Sequence, residues 1–341
     1  MQTIATENIP RLDSVVRWTP FASKLNRVNR REFFKYAAIL SPLAHSLVLR
    51  SESAGQEIAF TFDDPTTAEN AGLPWQEVNA RILGVLDKRK VTSALFVCGK
   101  RVDSVEGQKL VAAWNGAGHS ICNHSYSHLN FDANGNGSPV TLAEFEADAL
   151  KNEPLIRDYS NFVRLFRYPF FKEGDTVEKR DGMRSFLRQR GYRVGRATID
   201  ASDWAINGRL QTRMKASPKA DLTPYRDFFL QHIWERAQFY DSLAWRVLNH
   251  PVRHTVLLHH NGLNALFLDE LIAMFMRKGW RLVDAEWAYR DAVYDLQPKI
   301  LPAGESLIWA LAKESGKFEK ELRYPGEDDV YENPKMDAFK L

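Results

Sequence analysis

The chain has 341 residues, 44% of them hydrophobic and 12% aromatic, enough for a single α/β barrel to bury its core without disulfide staples. Its formal net charge is +3, but residues 1–53 hold eight Lys/Arg against four Asp/Glu, so the remainder sits near −1 and nucleic acid is excluded as an expected partner. Two cysteines, Cys98 and Cys122, are too few for a disulfide framework or a thiolate zinc site, leaving one bridge or two buried thiols, and no stretch is long and charge-free enough for a membrane span.

At the N-terminus a basic stretch with Arg11, Arg17, Lys24 and Arg27 leads into Arg30-Arg31-Glu32-Phe33-Phe34-Lys35 and then a modest apolar run, 36–49. That order resembles a twin-arginine export signal, with Ser51 and Ser53 spaced for cleavage before Ala54. The expectation is a mature protein that is exported, periplasmic or extracellular, after passage through the twin-arginine machinery. The alternative is an amphipathic helix docked on the domain that follows.

Seven short runs then read as buried strands, at 57–62, 93–98, 119–123, 163–168, 193–200, 255–259 and 280–283. They are rich in Val, Ile, Leu, Phe and Thr. Helical patterns lie between them at 75–88, 105–115, 142–158, 177–190 and 264–278. Strand alternating with helix predicts a parallel α/β sheet, and seven repeats suit a closed or nearly closed barrel. An open doubly wound sheet is the runner-up, but no glycine-rich phosphate loop follows the first strand. Residues 205–250 exceed a usual crossover, and 224–248 reads as a long aromatic-rich helix, either core or a lid. The expected organisation is an export signal at 1–53, a catalytic barrel at 54–296 with an insertion about 205–250, and a tail at 297–341. The tail should carry one helix at 305–317, wrap the barrel or be partly disordered, and hold no chemistry.

In a parallel barrel the loops after the strands converge on one mouth, so polar residues at strand ends are the candidates for chemistry. The first strand ends in Asp63-Asp64, and alternation sends the two carboxylates in different directions; a solvated turn or a helix cap also explains such a pair. The third strand runs into His124-Ser125-Tyr126-Ser127-His128. Two histidines four apart on one face of a helical turn can share a divalent metal, and one carboxylate completes a three-ligand set with a position open for water. That donor set is borderline in softness, which makes Zn2+ the first expectation, with Co2+ or another transition metal as alternatives. The fourth strand ends Arg167-Tyr168-Pro169-Phe170, the fifth Asp200-Ala201-Ser202-Asp203-Trp204, and the sixth Leu257-Leu258-His259-His260. Each alone suits a surface pair or a cap.

Taken in order, Thr61-Phe62-Asp63-Asp64, His124-Ser125-x-x-His128, Arg167-x-Pro169-Phe170, Asp200-x-x-Asp203-Trp204 and Leu257-x-His259 resemble the polysaccharide deacetylases of carbohydrate esterase family 4, the NodB-like domain. The resemblance spans roughly residues 57–284 and implies a distorted (β/α)7 barrel. It implies that Asp64, His124 and His128 hold the metal, and that Asp63 is the general base, kept ionised and oriented by Arg167. It implies an oxyanion held by the metal and the Phe170 N–H, and a protonated His259 whose ring Asp203 holds and whose proton goes to the leaving amine. Leu257 and Trp204 would line a small pocket for the acetyl methyl. Pro65, Tyr168, Phe170-Phe171 and His260 depart from the usual pattern and alter the rim, Tyr168 among the substrate-contacting positions. Alternation lets either His259 or His260 face the mouth, and motif alignment selects His259.

The function expected from the resemblance is hydrolysis of N-acetyl groups on an acetylated polysaccharide or oligosaccharide such as peptidoglycan or chitin oligomers, releasing acetate. O-deacetylation of a xylan-like polymer is a second expectation. An inactive, glycan-binding barrel is a third, of a different class.

Overall fold

A computed structural model describes residues 55–132 and 139–341; the twin-arginine-like segment lies outside the described residues. The strands are β1 (Glu57–Asp63), β2 (Ala94–Val97), β3 (Ser120–Asn123), β4 (Phe162–Phe166), β5 (Lys172–Gly174), β6 (Arg193–Val194), β7 (Arg253–His259), β8 (Arg281–Leu282) and β9 (Ala303–Gly304). The helices are α1 (Trp75–Arg89), α2 (Gly99–Val102), α3 (Val105–Gly116), α4 (Leu142–Ile156), α5 (Val177–Gln189), α6 (Asp203–Ala216), α7 (Thr223–Leu248), α8 (Gly262–Arg277), α9 (Ala285–Ala288), α10 (Leu307–Ser315) and α11 (Asp329–Ala338).

A strand with neighbours on both edges and helices on its outer face has no wet side, so it reads as a continuous apolar run. That is β1, in which every residue after Glu57 is buried. It pairs in parallel with β7 from Glu57↔Arg253 to Asp63↔His259, and with β2 from Thr61↔Ala94 to Asp63↔Phe96. The full order is β6-β4-β3-β2-β1-β7, with β8 beside the start of β1. Beyond β6 the Gly195 N–H donates to Phe166 O, and the chain then crosses to β7, where Leu257 N–H donates to Ile199 O. Ile199 and Val256 form a parallel bridge. One segment therefore touches both ends of the sheet and curls it into a distorted seven-stranded barrel.

The predicted strand 193–200 is for that reason a regular ladder only over Arg193–Val194. Its middle residues are handing over between two neighbours. Gly195 permits the crossing, since a Cβ there would stand 2.6 Å from Phe96 Cζ.

Helix starts follow local chemistry. Ser104 accepts the Gly107 N–H, Asn261 accepts the Asn264 N–H, and Thr141 with Glu144 forms a reciprocal capping box, so α3, α8 and α4 begin where side-chain oxygens satisfy otherwise unpaired N–H groups. The long aromatic helix packs into the core. In α7, Tyr225, Phe228, Phe229 and Tyr240 are buried, and Trp234 packs edge-on against Phe275 and Trp280. Cys98 and Cys122 are free and buried. Among the described residues no helix is long and apolar enough to cross a membrane.

The tail is ordered around buried charge. Strand β9 pairs antiparallel with β5, and Glu332 of α11, fully buried, meets His232 Nδ1 at 3.3 Å, Arg323 Nη1 at 2.8 Å and Lys335 Nζ at 3.0 Å. Next to this pairing, Glu173 of β5 receives Arg196 Nε at 2.5 Å and Arg184 Nη2 at 2.7 Å. Burial pushes its carboxyl up, but the two arginines outweigh burial and hold it down to about 2. Removing one partner of a buried pair strands the other charge. Glu173→Ala is therefore expected to lose about 3–5 kcal/mol of stability, read from the denaturant midpoint; a loss under about 1 kcal/mol, the range of a surface pair, contradicts that role.

Candidate active site

The strand ends deliver their polar residues to one mouth, a cavity of about 750 Å³. Asp63 closes β1 and is 3% exposed; Asp64 follows with φ 59°. That left-handed step, unusual for a residue with a side chain, sends the two carboxylates apart. Asp63 Oδ1 accepts Arg167 Nη1 at 2.5 Å. Asp64 Oδ2 lies 3.4 Å from His128 Nε2.

His124 and His128 do converge, but not through a helical turn. Ser125 (φ 60°) and His128 (φ 57°) are both left-handed, and the loop is tied down by Asp148, which accepts the N–H groups of Tyr126 and Ser127. Their ring centroids are 5.0 Å apart. One ligand atom from each of Asp64, His124 and His128 lies within 4.8 Å of the other two. Donors about 2 Å from one tetrahedral ion stand roughly 3.4 Å from each other, and the Asp64–His128 separation has that value. The protonation states also suit a cation. His124 Nδ1 is 2.8 Å from Arg167 O, an oxygen that only accepts, so Nδ1 carries the proton and Nε2 keeps its lone pair. Burial pushes both rings down to about 4, leaving them neutral as ligands must be.

Arg167 is 1% exposed and fixed on every side. Its Nε donates to Gly195 O, and its Nη2 donates to Thr61 Oγ1 and to Tyr289 Oη. Asp63 is thus oriented by a guanidinium that cannot swing. Burial raises the Asp63 carboxyl to about 6 against the pull of Arg167, so desolvation and the ion pair act on it together. On the other flank His259 Nδ1 lies 2.7 Å from Asp203 Oδ1, and Asp203 Oδ2 accepts the His259 N–H and the amides of Asn261 and Asn264. Burial opposes charge on the His259 ring, but Asp203 and the Asp63–Asp64 carboxylates outweigh it and hold the ring protonated up to about 9. His260 turns away, buried with Nε2 3.3 Å from Asn79 Oδ1 and its ring against Trp114.

Of the contact residues, Phe170 (φ 55°, 56% exposed) stands with its ring 4.5 Å from that of His128. Trp204 is 43% exposed, and Leu257 packs with Phe171 and Ala197. Tyr168 borders the cavity but is 2% exposed, packed with Phe145 and Phe166. Reading the sequence missed Thr61, Tyr289 and, from the tail, Glu305, Tyr324 and Glu327, the last three of which line the cavity. A polar Thr61 in an apolar strand was a usable signal. The tail, expected to hold no chemistry of its own, reaches the cavity wall through Glu305, just after β9, and through Tyr324 and Glu327, just before α11.

Residues 50–194 match the sequence pattern of the polysaccharide deacetylase family. Over that segment the chain is similar to a polysaccharide deacetylase domain. No curated protein matches it. Solved structures similar to it include a CE4 family pseudoenzyme from Bacillus anthracis (19% identity, 69% of this chain and 65% of that one, TM-score 0.48). Another is the Bc1960 peptidoglycan N-acetylglucosamine deacetylase (19%, 68% and 87%, 0.47), and a third is the peptidoglycan deacetylase PdaC from Bacillus subtilis (22%, 69% and 90%, 0.43). The mouth of the barrel brings together all four kinds of group the sequence had singled out: the three donors, the second aspartate, the arginine beside it, and the histidine–aspartate pair.

Proposed function

We propose that this chain is a metal-dependent hydrolase that removes N-acetyl groups from a polysaccharide or oligosaccharide such as peptidoglycan or chitin oligomers, releasing acetate. The observation that carries the reading is the pairing of a buried carboxylate held by Arg167 with an imidazole held by Asp203 across a three-donor site. Asp64, His124 and His128 would hold a divalent ion, Zn2+ by the softness of the donors, with Co2+ the alternative. Such an ion supplies Lewis acidity at the acetyl carbonyl and at the attacking water.

The rest is done by side chains of this chain. Asp63, held by Arg167, takes the proton from the water as it attacks. The Phe170 N–H and the site's positive charge face the developing oxyanion. His259, fixed by Asp203, gives its proton to the nitrogen as the C–N bond breaks. Trp204 and Leu257 enclose the methyl group. The test is acetate release by purified protein from N-acetylglucosamine oligomers and from acetylated xylan, with metal measured on the same sample. Release from xylan alone moves the reading to an O-acetyl esterase, and release from neither substrate overturns it.

The working groups titrate in opposite senses. Asp63 acts ionised, so rate falls as pH drops through about 6, or lower once a cation stands beside it. His259 acts protonated, so rate falls as pH rises through about 9. Asp203→Asn removes what opposes burial at His259. The alkaline limb of the pH–rate profile should then move toward neutrality, with a loss on the order of 10²-fold at pH 8. An unmoved limb assigns the proton to another group.

Export of the mature protein is part of the same reading, supported by the Arg30-Arg31 motif. A secreted product beginning near Ala54 is expected on N-terminal sequencing, and retention of the full chain in the cytoplasm counts against it.

A further inference from the structure

We propose that Asp200 and the tail segment 324–328 form a subsite for a hexosamine whose amine is free, adjoining the unit whose acetyl group is removed. The inference rests on the deacetylase reading and names its substrate class: glycans already partly deacetylated.

Asp200 and Asp203 are three residues apart and face different worlds. Asp203 is fully buried with both oxygens engaged by His259 and two asparagines. Asp200 borders the cavity and is 8% exposed. Its Oδ1 accepts the Ala201 N–H at 2.8 Å, and its Oδ2 has no hydrogen bond or ion pair among the described residues. Facing it is the tail. A Cβ built on Gly326 would stand 3.8 Å from Asp200 Oδ2, an ordinary contact, and 2.6 Å from Glu305 Oε2, so the tail runs directly beside Asp200 and a side chain at this position would make Glu305 shift.

The segment is held in place from behind. Gly326 N–H donates to Glu305 Oε2, Ser202 Oγ donates to Glu327 O, and Tyr240 Oη donates to Glu327 Oε1. The neighbouring carboxylates have cations of their own. Glu305 pairs with Lys172 at 2.5 Å, and Glu327 pairs with Arg236 at 2.7 Å and Arg323 at 3.3 Å. Asp200 has none, and burial, then Glu327 and Glu305, push its carboxyl well above the usual range, against a smaller pull from His259. Beside it Tyr324 is 50% exposed on the cavity wall, an aromatic face of the kind a sugar ring stacks on.

A hydroxyl group placed here satisfies one oxygen and leaves the crowding of negative charge as it was. An acetylated amine offers a single N–H and no charge. A primary ammonium supplies both three donors and the missing cation, and it ionises Asp200 on arrival. An anionic substituent brings no cation to Asp200 and meets the negative charge of Glu305 and Glu327.

The test is calorimetric binding of three disaccharides to the full chain at pH 7: the dimer of glucosamine, its di-N-acetyl form, and cellobiose. Wild-type protein is expected to bind the amine dimer about tenfold more tightly than cellobiose, the size of one charge-assisted hydrogen bond. Asp200→Asn should erase that ratio and Asp200→Glu should restore part of it. Gly326→Ala, which crowds Glu305 Oε2 and disturbs its bond to the tail while leaving Asp200 in ordinary contact, should also reduce it. An amine-to-cellobiose ratio near one in wild-type protein, or one unchanged by Asp200→Asn, overturns the subsite. If Asp200→Asn does not fold, the wild-type ratio and Gly326→Ala decide. Asp200-dependent amine binding in a protein that releases no acetate removes the deacetylase reading and leaves the subsite, whereas acetate release with an unchanged ratio does the reverse.

Discussion

Asp63→Asn should keep its metal and lose on the order of 10³-fold or more in kcat, the contribution of a positioned general base. The substitution is nearly isosteric, and the amide oxygen can still accept from Arg167 Nη1, now 2.5 Å from Asp63 Oδ1. Phe96 packs against that guanidinium, 3.8 Å from its ring centroid, so the arginine keeps its place. Nothing in the Asp64, His124 and His128 set changes. What disappears is an oxygen able to take a proton, because the amide nitrogen that replaces it has its lone pair tied up in the carbonyl and can only donate. The measurement is acetate release beside bound metal per chain. Turnover within tenfold of wild type would remove Asp63 from the base role. Loss of metal together with turnover would make it a ligand instead, a role its Oδ2 could reach for, lying 3.6 Å from His124 Nε2.

How far the site could be read from the chain follows from which constraints are local. Strand ends are legible because β1 and β7 are buried on all sides, so their apolar runs stop where Asp63-Asp64 and His259-His260 begin. Caps are legible for the same reason, since Thr141 and Glu144 meet across a single turn. The choice between His259 and His260 needed the family alignment, and the structure shows its physical basis: Asp203 on one ring, Asn79 on the other. What was hidden depends on distant parts of the chain. The His124–His128 loop looks helical by spacing, but its shape is set by Asp148 on α4, and two residues adopt left-handed backbone to meet it.

The two-strand pairing of β5 with β9 joins residues about 130 positions apart, with runs too short to carry a periodic signal. Tyr289 reaches Arg167 from across the barrel with no pattern around it to announce it. The desolvation of Asp63 was hidden for a related reason. Charge partners can be guessed from motif order, whereas desolvation is a property of the finished core. The tail illustrates both limits: its polar composition left wrapping the barrel and partial disorder open, and its Glu327 is buried against Arg236 and Arg323.

Removing either imidazole should take metal and activity together, and the two variants should differ in a way that the geometry sets. His128 sits on the loop with its side chain 15% exposed, and His124 is 3% exposed with Nδ1 bound to Arg167 O. His128→Ala removes one donor and little else. His124→Ala removes a donor and also strips the partner from a carbonyl on the residue that orients Asp63. Both should weaken metal binding more than about 100-fold, beyond the cost of losing an outer-shell partner, and only His124→Ala should show an added loss of activity when excess Zn2+ is supplied. Retention of normal metal by the His124 variant would place the ion elsewhere. The other donor cluster among the described residues is His232, Glu327 and Glu332, but there Ser202 N–H donates to His232 Nε2 and Arg236, Arg323 and Lys335 already neutralise the acids. Cations bound to cations' partners gain nothing. His232→Ala should therefore leave bound metal unchanged, and a loss of metal in that variant would reverse the assignment of the two clusters.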